Sequence, residues 1–284
     1  MQKPMTASIQ FNCSDQVGLI AALANFFLQR DVNITHNEEA VCDGQFFSRI
    51  EWVLDDQWKN EAQFKNEFDE LVKKYSASFS VRFNNVSQTI GLLVSHHSHT
   101  LLEVINKFET NYFENNEICF IIGNDDSIQK IADRHAIPFF YISSNLEPLA
   151  CEEKQLEIIN RYSPDYLGQF SDSTPLSANF LQNVSCPVIG VHNSFLPMFN
   201  ASDSYQLAFN RGVKLIGATS YFVVAELDQG PIIEQGVLRV APGASMQEFV
   251  KIGHHVERNV FSHALHKVLQ HKVMVFQKRA MVFK

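Results

Sequence analysis

Residues 165–191, DYLGQFSDSTPLSANFLQNVSCPVIGV, decide the fold. They read as an apolar strand (DYLGQF, 165–170), a polar turn, a short helix from Pro175 to Gln182 and a second apolar strand (PVIGV, 187–191). Short apolar strands separated by helices imply a mainly parallel sheet with both faces covered. The same alternation runs upstream: TIGLLVS (89–95) before a helix from about Leu101, ICFIIGN (118–124) before a helix from Ser127, and IPFFYI (137–142) before a helix around Glu152 to Tyr162. Downstream, past residue 200, the chain reads as a helix, a long strand over Val213–Val224, further extended segments and a last helix from about Met246 to Gln270. Ligands on such a sheet bind beyond the carboxyl ends of the strands, which is where His192 falls, directly after VIGV. There is no G-x-G-x-x-G, P-loop or internal repeat.

The first eighty residues follow another order. TASIQFN reads as a strand, Val17 to Gln29 as an amphipathic helix, NITHNEEAV and FFSRIEWVL as two strands, Trp58 to Tyr75 as a second helix and SFSVRF as a closing strand. This is a βαββαβ unit, the split layout of a ferredoxin-like domain. The polar stretch from Phe83 to Ser87 suits a link, which divides the chain into domains 1–84 and 85–284. The turn Asp15-Gln16-Val17-Gly18 reads equally well as a ligand site or as an ordinary helix start capped by Ser14 or Asp15.

A chain of 284 residues, 45% hydrophobic, buries a large core. A net charge of −8 and a pI near 5.7 argue against a nucleic-acid partner, because phosphate binding needs clustered Lys and Arg. No apolar run approaches the roughly 18–20 residues that span a bilayer, and MQKPMTAS lacks the apolar core of a signal peptide, so a cytoplasmic protein without a membrane partner is expected. Five cysteines without C-x-x-C spacing suit reduced thiols, and the 24 phenylalanines suit core packing.

His192, at the end of its strand, and Asp228, in the turn Leu227-Asp228-Gln229-Gly230-Pro231, are a histidine and a carboxylate displayed at chain reversals, hence candidates for acid/base work. Around them stand HNSFLP (192–197), RGVKLIGAT (211–219) and LDQGPIIEQ (227–235), with CSDQVGLIA (13–21), IGND (122–125), PDYL (164–167) and VERNV (256–260) elsewhere. In their order and spacing these segments resemble the formyltetrahydrofolate deformylases, which join an N-terminal ACT domain to a formyltransferase-like domain, and the resemblance covers nearly the whole chain.

That resemblance implies a hydrolase: water attacks the formyl carbon of 10-formyltetrahydrofolate, releasing formate and tetrahydrofolate, with folate as substrate and no tightly bound cofactor or metal. In the family signature, N-x-H-x-S-hydrophobic-L-P is followed by a histidine seven residues before the aspartate of L-D-x-G-P. Carried over, it makes His192 the oxyanion donor or acid and Asp228 its carboxylate partner. The asparagine position holds Gly190 and the second histidine position Tyr221, so slow turnover is expected: losing one oxyanion donor costs about a hundred- to a thousand-fold in rate. Asn193 is a weak alternative source of the missing amide. The resemblance also assigns substrate contacts to Ser95, His99, Gln169, Phe170, Val224, Ala225, Glu226 and Leu227, and an amino-acid effector to Asp15, Gln16, Gly18 and Asn33 of the ACT unit, which implies a homodimer or homotetramer.

Two loops depart from the family. Residues 170–174 (FSDST) and 201–205 (ASDSY) place aspartate where deformylases carry arginine, which works against the glutamate tail of folate. A catalytically degenerate paralogue that binds or senses a small ligand is the alternative reading. His96-His97-Ser98-His99 reads as a pocket-edge loop, or less well as a metal site, and His254, His255, His263 and His266 as solvated or interface positions on the last helix.

Overall fold

The computed structural model describes residues 5–54, 58, 60–95, 98–170, 175–196, 204–226 and 229–284. It contains two compact units: Met1–Ser87 with His271–Met274 and Val282–Lys284, and Gln88–Gln270 with Val275–Met281.

The first unit runs β1 (Thr6–Ser14), α1 (Leu19–Leu28), β2 (Ile34–Cys42), β3 (Gln45–Val53), α2 (Glu61–Tyr75) and β4 (Ser78–Phe83), with sheet order β2-β3-β1-β4, all antiparallel. In β1 the apolar residues Ala7, Ile9, Phe11 and Cys13 alternate with Ser8, Gln10 and Asn12, which assigns each set to one face. The apolar face packs on α1 and α2 through an aromatic cluster in which Trp52 stacks on Phe64 (5.1 Å) and Phe26 on Trp58 (5.9 Å). Helix α1 starts two residues later than read, and neither Ser14 nor Asp15 caps it. Gly18 takes that place at φ +95°, a conformation that L side chains rarely adopt. Asn60 caps α2 by accepting from the Gln63 N–H.

The polar set of β1 is buried as well, because the end of the chain lies on it. His271 Nδ1 is 2.9 Å from Ser8 Oγ and its Nε2 is 2.8 Å from Ser80 Oγ, while its carbonyl accepts from Gln10 Nε2 (3.1 Å) and Arg49 Nε (2.8 Å). Residues 271–274 and 282–284 therefore group with the first unit, whereas the division at 84/85 assigns them to the second.

The second unit runs β5 (Thr89–Val94), α3 (Ser98–Glu109), β6 (Glu117–Gly123), α4 (Asp126–Arg134), β7 (Phe139–Tyr141), α5 (Pro148–Tyr162), β8 (Tyr166–Phe170), α6 (Ala178–Asn183), β9 (Val188–His192), α7 (Ser204–Asn210), β10 (Leu215–Phe222), β11 (Ile232–Arg239) and α8 (Met246–Leu269). A last hairpin, β12 (Val273–Phe276) and β13 (Arg279–Val282), was not read from the sequence. The seven-stranded sheet has the order β11-β10-β9-β8-β5-β6-β7; β7, β6, β5, β8 and β9 are parallel, and β10 and β11 join antiparallel. Pro148 sits in the first turn of α5, where its missing N–H costs nothing, so this helix begins four residues before the expected Glu152. Among the described residues, no helix is long and apolar enough to cross a membrane.

Candidate active site

The ends of β8, β9 and β10 stand side by side. Gln169 is in register with Gly190, and Gly190 pairs with Tyr221 across the antiparallel step. Lateral partners share a face of a sheet, as do residues two apart on one strand, so Gln169, Gly190, His192 and Tyr221 occupy one face. The other face carries Val191 and Ala218, packed on Val256 and Val260 of α8.

His192 ends β9 half-buried, with Nδ1 2.8 Å from Ser194 Oγ. The loop behind it is pinned from the sheet. Thr219 Oγ1 donates to Ser194 O (2.9 Å) and accepts from the Leu196 N–H (3.0 Å). Gln235 Nε2 donates to Leu196 O (2.9 Å) and to Thr219 Oγ1 (3.1 Å). Thr219, a polar residue inside β10 and the cross-strand partner of His192, is fully buried, and these bonds satisfy it.

Gly190 and Tyr221 fit each other by volume. A Cβ at residue 190 would stand 3.0 Å from Val223 Cγ2, 3.6 Å from Tyr221 Cζ and 3.7 Å from Tyr221 Cε1. The ring is confined on a second side by Gly230, whose Cβ would stand 2.9 Å from Tyr221 Cδ2 and only 1.8 Å from the Phe222 carbonyl oxygen. The glycine of LDQGP is thus dictated by close backbone approach, which the Phe222 N–H maintains by donating to Pro231 O (3.0 Å).

The remaining expected contacts divide. Ser95, just past β5, donates its N–H to Phe170 O (3.3 Å) and shares with Gln169 the lining of a cavity of about 200 Å³ that also touches Asn124, Ser143 and Gln155. The Phe170 side chain turns to the other face, its ring edge-on to Phe261 of α8 at 4.5 Å. His99 also turns to α8: its Nε2 lies 3.0 Å from a carboxylate oxygen of Glu257, its ring stacks on His254 at 3.9 Å, and Tyr205 donates its hydroxyl to the other oxygen of Glu257. Val224 is half-buried and Ala225 and Glu226 are exposed beyond β10. Leu227 and Asp228 lie outside the described residues, as do His96, His97 and residues 171–174 and 201–203. Asn193 lines a separate cavity of about 170 Å³ with Tyr205, Ala208 and Phe249.

In the first unit Asp15, Gln16 and Gly18 sit in the exposed β1–α1 turn and Asn33 in the exposed loop before β2. His263 and His255 are exposed, as expected, but His254 stacks on His99, and His266 packs 4.5 Å from the Tyr112 ring. Burial pushes the thiols of Cys119 and Cys186 up to about 11 and about 12, so both are neutral and poor nucleophiles near pH 7. Among the described residues no group of three or more His, Cys, Asp or Glu is placed to hold a metal ion. Sequence reasoning missed Glu257, Thr219 and Gln235. The i, i+3 spacing of His254 and Glu257 was the only available signal for the first, while the other two depend on cross-strand register.

Residues 88–265 match the formyl transferase family. The chain is 32% identical over 283 residues to a formyltetrahydrofolate deformylase of Synechocystis, covering 98% of this chain and 99% of the relative. It is 34% identical over 275 residues to that of Escherichia coli K12, covering 95% of each. Among solved structures, a formyltetrahydrofolate deformylase from Pseudomonas syringae superposes with a TM-score of 0.94 at 27% identity, covering 100% of this chain and 96% of the other.

Proposed function

We propose, on the premise that this chain belongs to the formyltetrahydrofolate deformylase family, that it hydrolyses 10-formyltetrahydrofolate to formate and tetrahydrofolate. Water adds to the formyl carbon, the carbonyl π electrons move onto oxygen, and the carbon–N10 bond then breaks as N10 takes a proton. The observation that carries this reading is His192 at the carboxyl end of β9 with its ring tied to Ser194. When the Ser194 hydroxyl donates to Nδ1, the imidazole carries its proton on Nε2, the form that donates to an oxyanion. Asp228 is its carboxylate partner by motif, and Ser95 and Gln169 line a cavity at the carboxyl ends of β5 and β8. Turnover slower than that of relatives with asparagine and histidine at positions 190 and 221 belongs to the same reading, because a phenol titrating at about 10 is a poor proton shuttle at neutral pH.

The first unit is a regulatory ACT domain in this reading. Its exposed turn of Asp15, Gln16 and Gly18, together with Asn33 in the loop before β2, takes an amino-acid effector, and the chain works in the cytoplasm as a homodimer or homotetramer. The test is formate release from 10-formyltetrahydrofolate by the purified protein and by His192→Ala, which should lower kcat by about a hundredfold or more. No formate from either protein, with folate still bound, would favour a catalytically silent paralogue, the reading that Gly190 and Tyr221 support.

A further inference from the structure

A glycine at residue 190 leaves a hydrolytic site short of one donor, and a neighbouring phenol borders the space. Gly190 and Tyr221 are direct cross-strand partners, on the face that also carries His192 two residues along β9. The ring carbon that bears the Tyr221 hydroxyl lies 3.6 Å from the point where a residue-190 Cβ would stand. The phenol end therefore borders the space that a side chain at 190 would enter.

We infer that the Tyr221 hydroxyl replaces the absent residue-190 amide as a hydrogen-bond donor to the oxyanion formed at the formyl carbon, an assignment that rests on the hydrolysis proposed above. A Cβ at Gly230 would stand 2.9 Å from the ring and one at Gly190 in van der Waals contact with it, with Val223 on the Gly190 side, so the ring is bordered on two sides. A donor held in this way needs no reorganisation as charge develops, which is the condition under which a single hydrogen bond affects rate most. Asn193, next to His192, lines a different cavity, and the Gln169 amide, in register with Gly190, lines the cavity it shares with Ser95. In the balanced step, water forms the new carbon–oxygen bond and gives up a proton, the former carbonyl oxygen bears the negative charge while Tyr221 and His192 donate to it, and collapse of that charge breaks the carbon–N10 bond as N10 takes up a proton, so that the proton lost by water is regained at the leaving nitrogen.

The experiment is Tyr221→Phe, which deletes the hydroxyl and keeps the ring between the two glycines. Steady-state formate release should show kcat lowered about 100- to 1,000-fold with KM within about twofold of the parent, at an unchanged melting temperature. Gly190→Asn combined with Tyr221→His should recover rate relative to Tyr221→His alone, because the amide returns to its motif position. Equal kcat for the parent and Tyr221→Phe overturns the assignment, as does a loss of rate that only follows a loss of folded protein. A parent that releases no formate overturns the proposed hydrolysis and this assignment together, which distinguishes the two failures.

Discussion

At position 190 the absence of a side chain is matched by the presence of a ring. Gly190→Asn alone must push against Val223 Cγ2, 3.0 Å from its Cβ, and against the Tyr221 ring. Overpacking of this kind costs about 1–3 kcal/mol, and the double variant with Tyr221→His should recover the part due to the ring but not the part due to Val223, as urea unfolding midpoints would show. The positions of His192, Gly190 and Tyr221 could be read from the sequence, because the motif sets their order and spacing. Their mutual fit could not, since it depends on the register that sets Tyr221 opposite Gly190. Phe170 shows the same limit: its place at the end of β8 could be read, but which face its ring takes is a matter of strand parity against α8.

Helix α8 is more than a cover for the sheet. Its Glu257, 4% exposed, accepts from Tyr205 at the second residue of α7 and is bonded to His99 at the second residue of α3, so one carboxylate joins three helices. Glu257→Ala leaves His99 and Tyr205 without this partner and should lower stability by about 3–5 kcal/mol, with Glu257→Gln costing less because it keeps an acceptor for Tyr205. Equilibrium unfolding of the three proteins checks the ranking. Strand and helix identities in this unit were readable from apolar runs and breaker residues, and the helix start at Ser245 carries a capping box with Glu248. The carboxylate was not readable, because within an amphipathic helix a buried glutamate looks like any solvated one until its partners on other elements are known.

Over the whole molecule, the chain's last residues complete its first unit. His271 stands just past α8 in a left-handed conformation (φ 53°) and is buried against Ser8, Gln10, Arg49 and Ser80. Burial first, then the charges of Arg82 and Arg49, hold its ring well below the ordinary imidazole range; the nearby Glu51 carboxylate is bonded to Arg49. A histidine with a depressed folded value contributes stability that is complete above its unfolded value of about 6.5 and is lost as pH falls toward the folded one. Below about pH 6.5 stability should therefore decline by up to about 1.4 kcal/mol per pH unit from this group, and His271→Gln should remove that component of the slope. Denaturant titrations between pH 7 and pH 5 measure both. The two-unit plan was legible from the contrast between βαββαβ and alternating βα segments. The return of the tail to the first unit was not, because it is made by polar pairs more than two hundred residues apart in sequence.

The fit between Gly190 and Tyr221 also makes the two positions a single unit of change. A side chain at 190 must displace Val223 and share its space with the Tyr221 ring. Residues in contact do not contribute independently, so the effect of a substitution at one of the two positions depends on what stands at the other.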